Sequence, residues 1–458
     1  MPAPTLTLAR AAGKLSRQLG RGGGTSLPGK VLLRLRPDAL ARLGGRLAGG
    51  TTLVSATNGK TTTARLIASC ARAAGARLVA NPSGANLASG VATALLAARP
   101  RRGDPRAALF EVDEAALTEV AARLRPSVVV LMNLFRDQLD RYGELEALAA
   151  RWEEMVAGLP AGATTVLNAD DPAVAVLERA HAPSVLFGVD DPALDLGALP
   201  HAADSTRCRA CGGPLEYARV TLAHLGDWRC ARCGARRPEP QVRATRVELR
   251  GVDGIGITVA TPHGEVRADL PLPGAHNAYN ATAAVAAAVA MGLPADAIER
   301  GLSAGEAAFG RAERLRVDGR DLVLLLAKNP TGANETVRTV LLDPEPPHLL
   351  IALNDRTADG RDISWIWDVD YEPLLRRAAS LTLTGDRAHE LALRCRYAGT
   401  PVAAAPRVVP GPAAAIDAAL AEVPPGGTLY VLPTYTAMLE LRAVLVARGA
   451  ADAFWRER

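Results

Sequence analysis

Short apolar runs alternate with helical patterns along the first part of the chain. From Thr51 the order is an apolar run, TTLVSA, then the turn TNGK, and then TTTARLIASCARAAG, whose small and apolar residues recur at helical spacing. Further apolar runs end at Val112, Asn133 and Asp170, with helical segments between them. Strands that alternate with helices predict an α/β fold with a parallel, doubly wound sheet.

The pattern changes twice after residue 200. Between Cys208 and Cys233 the chain is rich in Gly, Arg and Cys and shows little periodicity, which indicates an inserted module at about 205–237. Residues 242–274 alternate and carry turn residues, so they predict antiparallel hairpins. An Ala-rich helix is expected from His276 to Met291.

A second α/β unit begins near Arg316. Its four strand candidates are DLVLLLA, HLLIALND, LTLTG and TLYVLPT, with helical segments between them. We therefore expect an N-terminal segment (1–45), a central domain (46–312) that carries the inserted module, and a smaller Rossmann-like α/β domain (313–458).

Composition narrows the class of protein. The chain has 458 residues, 48% hydrophobic residues and a formal charge of +5, which excludes disorder, collagen and a disulfide scaffold. Nearly all the positive charge is arginine, and Ala and Arg are both abundant, so genome composition explains the charge better than nucleic-acid binding. The first residues are basic and lack a long apolar stretch. We expect a cytoplasmic protein, with peripheral contact of this terminus with a membrane as the weaker alternative.

SATNGKTTT has the context of a phosphate-binding loop, because it follows a strand and opens a helix. Backbone N–H groups at the helix start cradle phosphates, Lys60 supplies a charge, and the Thr61 hydroxyl can ligate magnesium. Val54 stands where the generic motif has glycine, so a simple Gly-Lys turn stays open as an alternative. The candidate nucleotide-binding residues of the loop are Thr57, Asn58, Gly59, Lys60, Thr61 and Thr62.

Acidic residues follow the next buried strand. Glu111, Asp113 and Glu114 are expected at the carboxyl edge of the sheet, where open α/β sheets bind ligands. A carboxylate there can hold magnesium, although a helix N-terminus that favours acids explains at least one of the three equally well. NLFRDQLDRYGELE, which starts at Asn133, reads on its own as a solvated loop or a further part of the site.

Four cysteines predict a zinc site. Cys208 and Cys211 form one C-x2-C pair, and Cys230 and Cys233 form a second pair after eighteen residues. Each pair precedes glycine, as expected of the turns that aim two thiolates at one ion. Four sulfur ligands leave no position for water, so the zinc is expected to be structural. A redox role for either pair is the weaker alternative, and Cys70 and Cys395 read as small buried hydrophobic residues.

Other polar segments carry possible chemistry. Asn277 and Asn280 lie one turn apart at the start of the Ala-rich helix, where they can read an adenine edge or, for Asn277, cap the helix. In the C-terminal unit, NDRTADGRDISWIWDVDYE places Trp365 and Trp367 beside several acids. We expect an exposed pair of tryptophans there, at an interface with another protein.

Five ordered blocks resemble the central domain of the Mur ligase family of ATP-dependent amide-forming enzymes: ATNGKTTT, EVDEA, NLFRDQLDRYGE, LNADDP and LPGAHNAYNATAA. The four-cysteine module, LLAKNPTGANE, NDRTADGRDISWIWDVDYE and LPTYTAMLELR narrow the resemblance to the MurT family of ligase subunits. The resemblance implies ATP and Mg²⁺ as cofactors, and a heterodimer with a GatD-like glutamine amidotransferase. It implies that ammonia from this partner amidates the D-glutamate α-carboxyl of lipid II at the inner membrane face.

The resemblance also assigns residues. Lys60 and Thr61 would bind ATP phosphates and magnesium, Glu111 would be a magnesium ligand, and Asn277 and Asn280 would lie near adenine. Transfer of the γ-phosphoryl group to the substrate carboxylate would give an acyl phosphate that ammonia attacks. Lys60, magnesium and an arginine, for which we name Arg311, would offset the developing charge.

The chain departs from the family pattern at three places. Ala56 replaces the usual glycine of the loop, and Gln138 replaces the histidine of D-H-L-D at the second magnesium site. No lysine lies between Lys60 and Lys328, so the carbamylated lysine of many Mur ligases is absent. A carboxylate of Glu153 or Glu154 is expected to substitute for it.

No Cys-His glutaminase arrangement is evident in the sequence, so ammonia must come from solution or from a partner. An aspartate of the NDRTADGRD segment is expected to orient the partner's catalytic histidine, with three candidates: Asp355, Asp359 and Asp362. Two other functions stay open, a ligase that adds amino acids, such as glutamates to folate, and a zinc-ribbon ATPase that binds nucleic acid.

Overall fold

The fold is taken from a computed structural model that describes residues 26–82, 84–136, 144–305, 311–398 and 405–451. The helices are α1 Leu27–Leu35, α2 Ala39–Gly44, α3 Lys60–Ala73, α4 Ala88–Ala98, α5 Leu117–Leu124, α6 Glu144–Ala157, α7 Pro172–Ala175, α8 Ala275–Ala290, α9 Ala295–Ser303, α10 Pro330–Leu341, α11 Glu372–Arg377, α12 Ala388–Tyr397, α13 Pro412–Ala421 and α14 Tyr435–Ala447. The strands are β1 Thr51–Ser55, β2 Leu78–Ala80, β3 Ala107–Glu111, β4 Val128–Leu131, β5 Thr164–Asn168, β6 Ser184–Val189, β7 Leu215–Leu222, β8 Leu225–Cys230, β9 Val242–Leu249, β10 Ile255–Thr261, β11 Gly264–Leu270, β12 Arg311–Val317, β13 Arg320–Leu325, β14 His348–Ala352, β15 Ser380–Thr384, β16 Arg407–Val408 and β17 Thr428–Pro433.

The larger sheet has nine strands in the order β11-β10-β9-β6-β5-β4-β1-β3-β2. Strands β1 to β6 and β9 pair in parallel, whereas β9, β10 and β11 pair in antiparallel fashion. The predicted parallel sheet and the predicted hairpins are therefore confirmed, and they form one continuous sheet. Strand β1 lies between β3 and β4, so residues that follow these three strands meet at one edge.

Helices cover both faces of this sheet. Val54 points into a core formed with α3, α8 and α9, whereas its neighbour Leu53 points into the opposite core with α1, α2, α4, α5 and α6. All five residues of β1 are buried, as expected of a central parallel strand. The Ala-rich composition of α8 lets this helix pack closely, because thirteen of its sixteen residues are buried.

The inserted module is a two-stranded hairpin, β7 and β8, between β6 and β9 in the chain. Its side chain Trp228 is 3% exposed, and the indole Nε1 donates a hydrogen bond to the backbone oxygen of Ala169 at 3.0 Å. Arg237, at the end of the module, forms an ion pair with the fully buried Asp170 at 2.7 Å. Asp170 also accepts a hydrogen bond from the hydroxyl of Tyr279 at 2.7 Å, so the module is tied to helix α8.

The second sheet has six strands in the order β12-β13-β17-β14-β15-β16. Strands β13, β17, β14, β15 and β16 are parallel, and β12 pairs with β13 in antiparallel fashion. Two apolar clusters fill its two faces, one with α10, α11 and α12 and the other with α13 and α14. The Rossmann-like character expected of this unit is thereby confirmed. Among the helices described, none is both long and apolar enough to cross a membrane.

Candidate functional site: a phosphate-loop cleft between two α/β sheets

The loop between β1 and α3 has a geometry that requires glycine at its last position. Gly59 precedes the first turn of α3 and has φ +90°, a left-handed conformation that other residues seldom adopt. A Cβ atom on Gly59 would lie 2.0 Å from Oδ1 of Asn280, so a side chain there has no room. The predicted loop thus forms a tight turn directly before a helix N-terminus, where backbone N–H groups attract anions.

The two residues that begin α3 each face a carboxylate. Nζ of Lys60 lies 2.7 Å from Oε2 of Glu114, and it also donates to the backbone oxygen of Ala56. The hydroxyl of Thr61 donates to Oε1 of Glu111 at 3.0 Å. Glu111 is the last residue of β3, the neighbour of β1, and it is 7% exposed. The structure therefore brings together Lys60, Thr61 and Glu111 at the carboxyl edge of the sheet.

Side chains from the neighbouring strands hold this arrangement. Nδ2 of Asn133 donates to the backbone oxygen of Asn58 at 3.0 Å, and Oδ1 of Asn133 accepts from the backbone N–H of Asn58 at 2.9 Å. Thr57 exchanges hydrogen bonds with the backbone of Phe135. The alternative of a solvated loop is wrong for Asn133, because its side chain is 5% exposed and holds the loop between β1 and α3 at Asn58.

A residue that sequence reasoning missed positions Glu111. Oδ1 of Asn81 accepts from the backbone N–H of Glu111 at 3.0 Å, and Nδ2 of Asn81 donates to the backbone oxygen of Glu111 at 2.8 Å. Asn81 follows β2 at the same edge of the sheet, and a polar residue in this place is the feature that could have predicted its position in the site. The short strand β2 was not among the strand candidates, so the signal went unused.

Helix α8 forms the next wall of the site. Nδ2 of Asn280 donates to Oδ1 of Asn277 at 2.8 Å, and Nδ2 of Asn277 donates to the backbone oxygen of Pro273 at 2.7 Å. Both amides are buried beside the phosphate loop. The capping interpretation of Asn277 is wrong, because Gly274 is the N-cap of α8 and its position carries no side-chain cap. Asn277 lies in the first turn of the helix and lines the cleft described next. Thr62 lies in the first turn of α3 and is 2% exposed.

The C-terminal domain closes the site from the other side. Asn329 is the N-cap of α10, and its Nδ2 donates to Oδ1 of Asn58 at 2.9 Å across the two domains. Between the domains lies a cleft of about 940 Å³, open solvent included, which we call the interdomain cleft. The side chains that line it include Asn58, Asn133, Phe135, His276, Asn277, Asn280, Lys328, Asn329, Thr331, Glu335 and Thr339. Such a cleft has the volume to hold a nucleotide with its phosphates at the loop.

The four module cysteines converge as predicted. Their sulfur atoms all lie within 4.8 Å of one another, with 3.6 Å between Cys208 and Cys233 and 3.5 Å between Cys211 and Cys230. A tetrahedral zinc with four thiolates has sulfur atoms about 3.8 Å apart, so the donor set fits this ion. The backbone N–H of Cys233 lowers the pKa of the Cys230 thiol to about 6, whereas burial and the neighbouring thiols raise the pKa of Cys211 to about 12. Zinc binding would therefore release protons from this cluster.

The two remaining cysteines are buried in helices. Burial raises the pKa of Cys70 to about 12 and the pKa of Cys395 to about 11. Their side chains are 0% and 1% exposed. Both thiols are therefore protonated and inaccessible, and their interpretation as small buried hydrophobic residues is confirmed.

The three aspartates proposed to serve a partner have different surroundings. Asp359 is 6% exposed and accepts from the backbone N–H of Thr436 at 2.8 Å, at the start of α14. Asp355 forms an ion pair with Arg387 at 2.9 Å. Asp362 accepts from the backbone N–H of Ser364 at 2.8 Å and so caps a short 3-10 helix. All three are thus engaged within the domain, and Asp359 most deeply.

The expectation of an exposed pair of tryptophans is wrong for Trp365. Its side chain is 4% exposed and packs in the core of the C-terminal domain, because the 3-10 helix turns it inward. Trp367 is 46% exposed and meets the exposed ring of Tyr397 edge-on at 5.9 Å between ring centroids. One tryptophan of the pair, with Tyr397, is therefore left at the surface.

Three further predictions concern Arg311, Gln138 and the two glutamates of α6. Arg311 begins β12, but its side chain lies outside the described part of the chain, as does the whole of Gln138. Glu153 and Glu154 are both exposed on α6, and neither carboxylate makes a hydrogen bond or an ion pair with another described residue. Their substitution for a carbamylated lysine stays a prediction.

Comparison with known families accounts for this architecture. Residues 54–288 match the Mur ligase middle domain, and residues 326–438 match the MurT ligase C-terminal domain. The chain is 34% identical to the lipid II isoglutaminyl synthase (glutamine-hydrolyzing) subunit MurT of Streptococcus pneumoniae strain R6, over 96% of this chain and 97% of the relative. The chain belongs to the MurT family of Mur ligases. The predicted family and the predicted enzyme class, a Mur-type ligase, are thereby confirmed.

A second relative and the solved structures agree with this assignment. The MurT subunit of Staphylococcus aureus strain N315 is 32% identical, over 85% of this chain and 86% of the relative. A pseudomurein peptide ligase type C from Methanothermus fervidus aligns with a TM-score of 0.67 at 22% identity, over 89% of this chain and 80% of that one. A MurF ligase from Thermotoga maritima, solved with ADP, aligns with a TM-score of 0.62 at 12% identity, over 89% of this chain and 82% of that one. At these identities the solved structures establish the Mur ligase fold.

Proposed function

We propose that this MurT-family chain uses ATP to amidate the D-glutamate α-carboxyl of the lipid II stem peptide, giving D-isoglutamine. The observation that carries the proposal is the pairing of Lys60 with Glu114 and of Thr61 with Glu111 at the start of α3. These pairs lie in a chain that matches the Mur ligase middle domain and the MurT ligase C-terminal domain. Its MurT relatives are named as subunits of lipid II isoglutaminyl synthase.

The residues at the loop fit an ATP–magnesium complex. The N–H groups that begin α3 and the Lys60 ammonium would bind the phosphates, while the Thr61 hydroxyl and the Glu111 carboxylate would hold Mg²⁺. Magnesium supplies charge neutralisation at the transferring phosphoryl group. This donor set is all oxygen, as a hard cation prefers, and Thr61 and Glu111 are already within hydrogen-bond distance of each other. Asn277 and Asn280 would face the nucleoside, and Arg311 is retained as a candidate for the developing charge.

The substrate carboxylate is activated in this scheme by transfer of the γ-phosphoryl group. The carboxylate oxygen attacks phosphorus, the bond to the β-phosphate oxygen breaks, and an acyl phosphate and ADP result. Ammonia then attacks the acyl carbon, and inorganic phosphate leaves with the amide formed. The chain contributes by positioning both reactants and by offsetting charge, since phosphoryl transfer needs little covalent help from protein groups.

Ammonia is proposed to come from a GatD-like glutamine amidotransferase in a heterodimer. A cysteine glutaminase needs an accessible thiolate beside a histidine. In the described ranges Cys70 and Cys395 are buried with raised pKa values, and the other four cysteines form the proposed zinc site. The exposed rings of Trp367, which follows Asp362 closely in the chain, and of Tyr397 offer aromatic surface for this partner.

An amine-donor panel tests the proposal. The purified chain would be incubated with ATP, magnesium and lipid II, and with either ammonium or a free amino acid such as glutamate, and the stem peptide would be analysed by mass spectrometry. We expect ammonium to support conversion of the carboxylate to the amide and amino acids to support none. A product extended by an amino acid would overturn the amidation and favour a ligase of the amino-acid-adding type. Activity with the GatD-like subunit and glutamine should equal or exceed that with ammonium.

A further inference from the structure

A buried acid lies on the wall of the interdomain cleft that the C-terminal domain contributes. Glu335 is on α10, and with Thr331 and Thr339 it follows the i, i+4 spacing of one helical face, all three lining the cleft. Its side chain is only 5% exposed. None of the roles proposed above uses this carboxylate.

One oxygen of the Glu335 carboxylate is buried without a hydrogen-bond donor from the residues that the structure describes. Within the described chain, Oε2 has no hydrogen-bond partner. Two basic side chains lie within ion-pair distance of Glu335: His276, with Nδ1 3.9 Å from Oε2, and Arg338, 3.8 Å from Oε1. Both distances exceed a hydrogen bond. His276 Nδ1 is also without a hydrogen-bond partner in the described chain. Because a buried carboxylate without a donor is unfavourable, this geometry suits a ligand that donates a hydrogen bond.

The place of Glu335 along the cleft indicates which end of a nucleotide it meets. Asn280 lies beside Gly59 at the phosphate loop. His276 precedes Asn280 by about one turn of α8, which is about 6 Å along the helix axis. Glu335, on the wall that the C-terminal domain contributes, comes within 3.9 Å of His276 at this part of the cleft. A nucleotide with its phosphates at Gly59 would therefore present its base, the part most distant from the phosphates, toward Glu335.

We propose that Glu335 accepts a hydrogen bond from the exocyclic amino group of adenine and so selects ATP over GTP. This inference rests on the proposed function, because it takes ATP as the nucleotide in the cleft. An ionised carboxylate is an acceptor only. Adenine carries the amino donor N6 at the position where guanine carries the acceptor O6. Guanine would therefore place O6 against the Glu335 carboxylate, and two acceptors form no hydrogen bond with each other. The selection of ATP over GTP would thus arise from pairing a hydrogen-bond donor with an acceptor, and the size of the base alone would not produce it.

A nucleotide panel tests the contact by binding, without reference to amidation. Displacement of a fluorescent ATP analogue from the full-length chain would give dissociation constants for ATP, GTP, purine riboside triphosphate and 2′-deoxyATP. Purine riboside triphosphate lacks the amino group and is otherwise close in shape to ATP. We expect it and GTP to bind at least about tenfold more weakly than ATP, because a hydrogen bond to a charged buried group is lost. 2′-DeoxyATP should bind within about threefold of ATP.

Substitution of the acid identifies the residue that makes the distinction. Glu335→Gln keeps the size of the side chain and adds an amide donor that guanine O6 can accept. We expect the ATP-to-GTP affinity ratio to fall at least about tenfold in this variant. Glu345→Gln, the same change at an exposed site in the same domain, should keep the wild-type ratio.

The contrary outcomes are distinct. Equal binding of ATP and purine riboside triphosphate by the wild-type chain, or an equal loss of affinity for all nucleotides in Glu335→Gln, would overturn base selection and leave Glu335 as an interdomain partner of His276. If 2′-deoxyATP were the only nucleotide that bound more weakly, the contact would be with the ribose, and this result would also overturn base selection. Failure of the wild-type chain to bind any nucleotide would instead overturn the proposed function.

Discussion

Lys60 of the phosphate loop forms an ion pair with Glu114, with 2.7 Å between Nζ and Oε2. The two side chains are only 12% and 14% exposed. Glu114 follows Glu111 by three residues, so one short segment that starts at the end of β3 supplies a carboxylate to each of the residues Lys60 and Thr61. A phosphate group that binds Lys60 must therefore compete with Glu114, and this acid is expected to set the affinity of the loop for nucleotide.

Glu114→Gln tests this competition. Loss of the partly buried ion pair should lower the free energy of unfolding by about 1–2 kcal/mol in the absence of nucleotide. ADP should bind more tightly than it does to the wild-type chain, because Lys60 no longer has an internal anion. Thermal unfolding with and without ADP measures both effects. The control is Glu119→Gln, which removes an exposed i,i+4 pair with Arg123 and should change stability by less than about 0.5 kcal/mol. Unchanged or weaker ADP binding in Glu114→Gln would contradict the competition.

Lys60→Ala is expected to abolish ATP-dependent amidation and leave the fold intact. Lys60 lies at the first position of α3, and alanine favours a helix, so the loss should arise from the missing charge over the phosphates. Circular dichroism checks the fold, and ADP release checks the reaction. Activity within about tenfold of wild type corresponds to only ~1.4 kcal/mol of transition-state stabilisation and would exclude the phosphate-loop role.

The zinc module predicts one zinc ion per chain. Metal analysis should find one equivalent in the wild-type chain and less than half an equivalent after Cys233→Ser, since four thiolates are needed to complete the site. Cys395→Ala, which changes a buried cysteine far from the module in the sequence, should keep the full equivalent. Chelation should lower the unfolding temperature, because the module contacts the central domain through Trp228 and Arg237. Zinc content unaffected by Cys233→Ser would show that the metal lies elsewhere.

The three loop aspartates should separate by stability as well as by activity. Asp359→Asn is expected to destabilise the C-terminal domain by about 1–3 kcal/mol, because the buried carboxylate holds the start of α14. Asp355→Asn and Asp362→Asn should cost less, since both side chains are partly exposed. We expect one of these two to stop glutamine hydrolysis by the partner while ammonium-dependent amidation survives. If both variants retained glutamine hydrolysis, neither aspartate would orient the partner's catalytic histidine, and that proposal would be wrong.

Local chain order explains why part of the site was predictable. The succession of strand, loop and helix places Thr57 to Thr62 at a helix start, and parallel pairing of β1 with β3 brings Glu111 to the same edge. The cysteine spacing likewise determines the module, because two C-x2-C turns have few ways to converge.

Other features depend on contacts between segments distant in the chain. The sequence around Asn133 does not predict its two hydrogen bonds to Asn58, because these bonds require the pairing of β1 with β4. Trp365 was expected at the surface because a polar loop surrounds it, and only the turn of the 3-10 helix directs it into the core. The approach of Glu335 to His276 depends on how the two domains meet, which no local pattern encodes.

Transfer of an oxygen isotope tests most directly whether the D-glutamate α-carboxyl is activated as an acyl phosphate and then amidated. Lipid II labelled with ¹⁸O in the D-glutamate α-carboxyl would be incubated with the chain, its GatD-like partner, glutamine and ATP, and the inorganic phosphate and stem peptide would be analysed by mass spectrometry. Activation through an acyl phosphate predicts one ¹⁸O atom in each phosphate released and an amide in place of the labelled carboxylate. Amide formation with no label in the phosphate, or labelled phosphate with no amide at this carboxyl, would contradict the account.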